Sequence, residues 1–142
     1  MSKSNALETG ILGLIFNATA IANIADNAAT SPLTNLYASF HTDDPGDAGD
    51  QTTNEATYPG YARVAVPRTS GGWTVTGDTA VPVAPIIFPM CTGGTETETH
   101  FGIGTAPSGA GVLLYSGTIT PNLDVSTGIP PQLGTGTTIW EG

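Results

Sequence analysis

Residues 1–30 show a helical pattern of apolar positions. From about Asn5 to Ala25, apolar side chains recur three or four positions apart, which places them on one face of a helix. Asn5, followed three positions later by Glu8, resembles a capping box at the start of such a helix. The pattern predicts one amphipathic helix that either covers an end of a sheet or docks on a neighbouring subunit. Its apolar face comprises Leu7, Ile11, Leu14, Ile15, Ala18, Ile21 and Ala22.

After residue 31 the pattern changes to short runs in which apolar and polar side chains alternate. Leu36, Ala38 and Phe40 share one face of the first run, as the period of two in a strand requires. Pro82 and Pro85 interrupt a later apolar run, which indicates an edge strand or an irregular crossing. The predicted strands lie at 36–40, 61–66, 73–76, 81–88, 95–103, 112–119, 123–125 and 137–140.

Composition and turns favour one all-β domain. Gly (19 residues) and Pro (11 residues) are abundant, whereas charged residues make up only 11% of the chain. A chain of 142 residues buries one core, and short strands between Gly- and Pro-rich turns indicate two packed layers. We predict an all-β protein, a β-sandwich or jelly roll with one N-terminal α-helix. Its single domain spans 1–142, with 1–30 as the helical segment and 31–142 as the sandwich.

The charge balance restricts the partners. Lys3, Arg63 and Arg68 are the only basic residues beside 12 acidic ones, and the formal net charge is −9. Binding to nucleic acid or to an anionic membrane requires a basic surface, so we predict neither as a partner. A partner surface is expected to be neutral or basic. The N-terminal apolar run includes Glu8 and is too polar for a membrane span or a secretion signal, which predicts a protein made in the cytoplasm.

The sequence carries no recognisable catalytic motif. His41 and His100 are the two side chains of a type that titrates near neutral pH, and neither stands in a GxSxG or HExxH pattern. A structural hydrogen bond or an exposed position is the simpler interpretation of each. Cys91, the single cysteine, is interpreted as a small buried side chain. We therefore predict that the protein is not an enzyme and has no catalytic residue, metal ligand or cofactor.

The densest acidic cluster allows two interpretations. It contains Asp43, Asp44, Asp47 and Asp50 around a Pro-Gly pair. Carboxylates at this density could bind Ca²⁺, although their spacing differs from that of an EF-hand loop. Asp-Pro-Gly is also typical of turns, because Asp accepts local backbone hydrogen bonds and Pro fixes φ. Together with His41 and His100, this cluster is where a metal-dependent enzyme would need its ligands to converge.

Two further groups of charges stand within predicted strands or beside them. Glu96 and Glu98 lie two positions apart on the same face as His100, and the simplest interpretation is that this face meets solvent. Arg63 is one of only three basic residues and is expected to pair with a carboxylate. That carboxylate is either Glu55 within the chain or an acidic residue of a partner.

Three stretches carry a resemblance to a known family. They are LYASFHTDDPGDAGDQTTNEATYPGYARVAV, GGWTV and HFGIGTAPSGAGVLLYSGTI. Together they resemble small virion proteins of tailed bacteriophages, which are often labelled tail fibre proteins and are similar to capsid cement, or head decoration, proteins. The resemblance extends over nearly the whole chain, and the H-T-x-D-P-G and G-Y-x-R-V segments are its most specific parts.

The resemblance implies a structural virion protein on the outer face of the phage head. Such a cement protein bridges subunits of the major capsid protein and stabilises the shell by binding its assembled state. We expect it to self-associate as a homodimer or homotrimer. The predicted interface comprises the apolar face of the helix, the long acidic loop with the aromatic residues that follow it, and one of the rare basic residues. These positions are Leu7, Ile11, Leu14, Ile15, Asp43, Asp44, Asp47, Tyr58, Tyr61 and Arg63.

An alternative function is a host- or carbohydrate-binding module of the tail. That function would need an exposed aromatic surface beside polar loops, and the candidates are Trp73, Tyr58 and Tyr61. Trp140 is a fourth large aromatic residue near a predicted strand. Aromatic side chains are common both in cores and at interfaces, so the sequence leaves both placements open.

Overall fold

The structure is a computed structural model that describes residues 3–21 and 32–142. Within these ranges one helix precedes a series of antiparallel strands, so the predicted all-β class with one N-terminal helix is confirmed. The elements are α1 (Asn5–Asn17), β1 (Asn35–His41), β2 (Val64–Pro67), β3 (Trp73–Thr76), β4 (Thr79–Pro82), β5 (Ile86–Ile87), β6 (Thr95–Gly104), β7 (Leu113–Ser126), β8 (Gln132–Leu133) and β9 (Ile139–Trp140).

Helix α1 begins at Asn5, where the apolar pattern predicts, but ends sooner than predicted. Its N-cap is Ser4, whose side chain accepts a hydrogen bond from the backbone N–H of Leu7, so the predicted capping box at Asn5 is wrong. The helix ends at Asn17 because Ala18 adopts a left-handed φ of 52°. Part of the predicted continuation, including Ala22, lies outside the described residues.

The buried stripe of α1 differs from the predicted face. Leu12 and Phe16, which lie four positions apart, have no exposed surface, and the ring of Phe16 meets that of Trp73 edge to face at 4.6 Å. Of the predicted face, Leu7 is 41% exposed, whereas Ile11, Leu14 and Ile15 are half-buried. The segment is apolar on nearly all sides, so periodicity alone selected the wrong stripe.

The first compact unit contains α1 and the sheet β3-β4-β9. Its ranges are Met1–Asn35, Pro67–Pro85 and Gly134–Gly142. Arg68 closes the end of the helix, because its guanidinium donates to the carbonyls of Leu14 and Ile15 at 2.7 Å each and to that of Leu33 at 2.6 Å. The carbonyls of Leu14 and Ile15 lie in the last turn of the helix and have no partner inside it, and a cation is favoured at this end.

The second unit, Leu36–Val66 and Ile86–Leu133, contains the larger sheet in the order β2-β1-β6-β7 and the short pair β5-β8. Phe40 stacks on Phe88 with ring centroids 3.9 Å apart, and both side chains are buried. One face of the larger sheet therefore builds an apolar core. Its buried members on β1 and β6 are Leu36, Ala38, Phe40, Phe101 and Ile103.

The other face of β1 and β6 is polar and also buried. Ser39 pairs in register with Gly102 and His41 with His100, so all four lie on this face. Ser39 and His41 have no exposed surface. The prediction that Glu96, Glu98 and His100 face solvent is wrong for Glu98, which is fully buried. The long loop at 42–58 folds back over the face and removes it from water.

Several strand boundaries differ from prediction for identifiable reasons. The predicted strand at 61–66 shortens to β2, because Arg63 turns toward Glu55 before the strand begins. Pro82 and Pro85 divide the run at 81–88 into β4 and β5. The two runs at 112–119 and 123–125 form the single strand β7, with a register shift against β6 opposite Glu98 and His100.

Substitution of Gly102 by Ala is expected to destabilise the protein by about 1–3 kcal/mol, because overpacking forces its neighbours to shift. A Cβ at this position would lie 2.7 Å from both His41 Nε2 and Ser39 Oγ. Urea denaturation followed by circular dichroism measures the loss. The control is Gly136→Ala, where a Cβ meets nothing within 4 Å. Equal stability of the two variants would contradict close packing on the polar face.

Candidate functional site

The loop at 42–58 is held by an ion pair between Glu55 and Arg63. Arg63 Nε donates to Glu55 Oε1 at 2.6 Å and Nη2 to Oε2 at 2.9 Å, which is the two-pronged geometry that suits a guanidinium and a carboxylate. The Arg63 side chain is 3% exposed. Of the two carboxylates considered from the sequence, Glu55 within the chain is therefore the partner. This hydrogen bond raises the pKa of Arg63, so the pair stays charged.

Arg63 and Gln51 also hold the turn between β6 and β7. Arg63 Nη1 donates to the carbonyl of Ala106 at 2.9 Å, and Nη2 donates to that of Gly109 at 2.7 Å. Gln51 is fully buried, and its Oε1 accepts a hydrogen bond from the Ala106 N–H at 2.9 Å. Its side chain rests on Gly104, where any Cβ would collide with it. Nothing in the sequence points to Gln51, since a polar side chain in an acidic loop carries no burial signal.

The acidic cluster at 43–50 forms turns. Asp43 accepts from the N–H of Asp44 at 2.8 Å, and Asp44 accepts from that of Gly46 at 2.9 Å. Asp50 accepts from both the backbone N–H and the hydroxyl of Thr52. These are the local hydrogen bonds that the turn interpretation predicts. Within 3–21 and 32–142, no three His, Cys, Asp or Glu side chains are grouped as metal ligands would be.

His41 is bound on both ring nitrogens. Nδ1 lies 2.8 Å from the carbonyl oxygen of Thr53, which can only accept, so Nδ1 carries the proton. Nε2 therefore accepts from the hydroxyl of Ser39 at 2.9 Å. Burial is the largest influence on the pKa of His41 and lowers it, which favours the neutral ring. Ser39 and His41 resemble a nucleophile and base, but neither has exposed surface for a substrate.

Glu96 and Glu98 form a carboxyl pair under the returning loop. Glu96 accepts from the N–H and hydroxyl of Thr57 at 2.9 Å each, and from the N–H of Tyr58 at 3.2 Å. Neither oxygen of Glu98 accepts from a donor among the described residues. Burial, followed by the hydrogen bond and the charge of Glu96, raises the pKa of Glu98 to about 8. Burial also opposes ionisation of Glu96, but hydrogen bonds from Glu98, Thr57 and Tyr58 outweigh it and lower its pKa.

The aromatic residues proposed for an exposed binding surface lie mostly inside. Trp73 has no exposed surface, and Tyr58 is 3% exposed with its hydroxyl bonded to the carbonyl of Pro89. Tyr61 is half-buried and donates to Glu55 at 2.9 Å. Burial, the largest influence on each pKa, raises that of Tyr61 and raises that of Tyr58 to about 12. Trp140 is 70% exposed, and its indole N–H donates to Asp78.

The predicted interface residues divide into exposed and internal side chains. Asp43, Asp44 and Asp47 are exposed on their loop. Tyr58 and Arg63 are buried, so they position that loop from inside and contribute little surface of their own. The four predicted helix residues belong to the other compact unit, where Leu7 is exposed and Ile11, Leu14 and Ile15 are half-buried. The assignment of an interface to the exposed members stays a prediction.

All three basic side chains of the chain are bound within it. Arg63 pairs with Glu55, and Arg68 binds three backbone carbonyls. Lys3 pairs with Glu141. Asp43, Asp44 and Asp47 of the acidic cluster are exposed. Over residues 3–21 and 32–142 the surface therefore offers exposed carboxylates and no unbound basic side chain, which suits a neutral or basic partner. Among the described residues, no helix has the length and apolar character needed to cross a bilayer.

The fold and the site together define a β-rich structural protein, in which the clustered polar side chains bind the loops of the same chain. The sequence profile of the family described as Podophage GP4 fiber I protein gp80 matches residues 2–140. The chain belongs to this family and is a structural protein of the bacteriophage virion. No curated protein shows significant similarity to it.

Removal of the Arg63 charge by Arg63→Met is expected to lower the free energy of unfolding by about 3–5 kcal/mol, because Glu55 is left desolvated without its partner. Urea denaturation measures the change. The matched control is Lys3→Met, which breaks a more exposed pair with a 35% exposed lysine and should cost less than about 1 kcal/mol. A loss of similar size in both variants would show that burial of the Glu55–Arg63 pair adds nothing to the cost of breaking it.

Glu98 is expected to make the protein less stable as pH rises. Its pKa is about 8 in the folded chain against 4.5 in a model compound, so unfolding releases a proton between these pH values. Stability therefore falls across this window, by up to about 1.4 kcal/mol per pH unit, and levels off above it. Glu98→Gln removes this contribution and should gain stability relative to the wild type between pH 5 and pH 8.

Urea denaturation at several pH values compares the wild type with Glu98→Gln. His41, whose pKa is lowered from 6.5, has the opposite effect below that value, because the unfolded state then binds more protons. Both proteins contain His41, so its effect cancels in the difference. Asp47→Asn, which removes one exposed carboxylate, is expected to follow the wild type. If the difference in unfolding free energy between the wild type and Glu98→Gln did not change with pH, the raised pKa of Glu98 would be refuted.

Proposed function

We propose that this virion protein is a non-enzymatic decoration, or cement, protein on the outer surface of the phage head. It binds subunits of the major capsid protein and bridges them, and it acts without turnover. Binding to the assembled shell stabilises that shell by mass action. The observation that carries the proposal is the internal use of every basic side chain, which leaves an acidic exterior for protein contacts.

The buried polar residues support a structural role. Ser39 and His41 resemble reactive groups, yet they are fully buried and bonded to each other and to the backbone. Glu98 is fully buried in the same unit. The hydrogen bond from His41 to the Thr53 carbonyl helps to fix the position of a long surface loop. A well-fixed loop presents the same surface to a partner before and after binding, which reduces the entropy cost of association.

A tail-associated binding module remains the second candidate, and one observation favours it. Trp140 exposes 70% of its surface while its N–H is bonded to Asp78, so an oriented aromatic face meets solvent. Aromatic faces of this kind bind flat apolar surfaces of ligands. Against this function, Trp73 and Tyr58 are buried. The three aromatic residues named from the sequence therefore do not form an exposed platform together.

Cryo-electron microscopy of the virion that contains this chain tests the location. We expect density for the protein at regular positions over the head, and a copy number in constant ratio to the major capsid protein by quantitative mass spectrometry. Antibody labelling of intact particles provides an independent check of exposure. Density confined to the tail, with only a few copies per particle, would reject the cement function and favour the tail-associated module.

A further inference from the structure

The sheet β3-β4-β9 of the first compact unit has one buried face and one face that meets solvent. Trp73 and Ile139 belong to the buried face, where Trp73 packs on the helix α1. On the other face the strand register places Thr76, Thr79 and Trp140 side by side, one on each strand. Thr76 and Trp140 are exposed. This face therefore presents an indole ring beside a row of hydroxyl groups.

Trp140 is held in one orientation although most of it is exposed. The side chain is 70% exposed, and its indole N–H donates to Asp78 Oδ2 at 2.5 Å. The backbone next to it is also fixed, because the N–H of Glu141 donates to the carbonyl of Asp78 at 2.9 Å. The indole N–H is the only hydrogen-bonding group of a tryptophan side chain, and it is already used. The ring therefore offers a ligand its π face, next to a carboxylate.

A π face next to a carboxylate is complementary to a cation. The face of an indole ring carries negative potential and attracts cations more strongly than the other aromatic rings do. No donor among the described residues is bonded to Asp78 Oδ1, so this oxygen is able to accept from a ligand. A guanidinium suits both groups, because its plane stacks on the ring while its N–H groups reach the carboxylate. A lysine ammonium lacks this planar arrangement of donors.

We propose that Trp140 and Asp78 form a recognition site for an arginine side chain of another virion protein. The guanidinium stacks on the exposed indole face and donates to Asp78, while Thr76 and Thr79 lie at the rim of the contact. Tryptophan and arginine are both enriched among the residues that dominate the energy of protein interfaces. The proposal goes beyond the proposed function, because it applies whether the protein lies on the head or on the tail.

The arginine belongs to a different protein, because both arginines of this chain are engaged. Arg63 is 3% exposed and pairs with Glu55, and Arg68 donates to three backbone carbonyls. A second copy of the chain would have to break one of these sets of hydrogen bonds to supply a guanidinium. The formal net charge of −9 also favours a basic partner over a second acidic copy.

Hydroxyl-radical footprinting tests whether Trp140 is covered in the virion. The purified chain and intact virions receive the same radical dose, matched by an added reference peptide, and oxidation is measured by mass spectrometry. We expect Trp140 to be oxidised in the free chain and to lose most of this oxidation in the virion. Trp73, which has no exposed surface, shows the level for a fully protected ring. Equal oxidation of Trp140 in the two samples would contradict the site.

Substitutions separate the contribution of the ring from that of the charge. Trp140→Ala removes the ring, whereas Asp78→Asn removes the charge and keeps an oxygen that accepts from the indole N–H. Each is expected to weaken binding to particles that lack the protein by about tenfold or more in a co-sedimentation assay. Trp140→Phe, which keeps an aromatic face, is expected to bind more tightly than Trp140→Ala.

The matched controls lie in the other compact unit. Ile129→Ala removes an apolar side chain that is 79% exposed. Asp124→Asn removes an exposed carboxylate that also accepts one side-chain hydrogen bond, from Thr97. Both controls should bind particles normally. Circular dichroism and thermal melting establish that all of these variants fold.

Chemical modification of the particles identifies the cation and requires no change in the fold of this chain. Particles that lack the protein are treated with phenylglyoxal, which blocks arginine, or with acetic anhydride, which blocks lysine. We expect phenylglyoxal to reduce binding of the wild type to the level of Asp78→Asn, and acetic anhydride to leave the difference between the two proteins intact. Loss of this difference after acetic anhydride alone would assign the site to a lysine, against the proposal.

The outcomes separate this site from the proposed function. A chain that binds particles normally after Trp140→Ala and after Asp78→Asn overturns the arginine site alone. A chain found only on the tail, with Trp140 protected and binding that requires arginine, rejects the cement function and leaves the site intact. Binding to purified host polysaccharide that Trp140→Ala abolishes, with binding to particles unchanged, would assign the ring to a saccharide, against the proposal. A chain that does not associate with virions at all overturns both.

Discussion

The desolvated ion pair between Arg63 and Glu55 is the interaction on which the loop at 42–58 and the β6–β7 turn depend. One guanidinium satisfies a carboxylate 8 positions away and two backbone carbonyls 43 and 46 positions away, so it joins the loop at 42–58 to the β6–β7 turn. Because the arginine is 3% exposed, removal of either partner strands a charge away from water. Formation of the pair also requires the desolvation of both charges, so its net contribution to stability is small. Its main effect is to specify one arrangement of these segments.

Glycine makes the polar face of the sheet possible. Gly102 and Gly104 give Ser39, His41 and Gln51 the space that a Cβ would occupy, and those side chains then bond to the loop. Both faces of the β1–β6 pair are thus buried, one by apolar packing and one by a polar network. A network of this kind specifies its geometry sharply, because each group left without a partner in a dry environment carries a large penalty.

The sequence predicted the positions of the strands better than it predicted which of their faces are buried. The alternation of Leu36, Ala38 and Phe40 located β1, since a strand with one apolar core face has an unmistakable period. The same reasoning misplaced Glu98, because its polar face is covered by a loop whose return path depends on Arg63, Glu55 and Gln51. Contacts between residues tens of positions apart leave no local pattern. The scarcity of arginine was the one signal available: it predicted that Arg63 pairs with a carboxylate, either Glu55 or an acidic residue of a partner, and the structure selects Glu55.

Internal binding of the arginines also affects the fate of the particle outside the cell. A protease specific for basic side chains must draw the lysine or arginine into its own pocket, which requires that side chain to leave the protein surface. Arg63 and Arg68 are each held by several hydrogen bonds, so cleavage after either must await local opening of the chain. Because Arg63 and Arg68 are bound within the fold, they contribute little positive charge to the exterior. For the same reason they give digestive enzymes of the trypsin type little to recognise while the fold is intact.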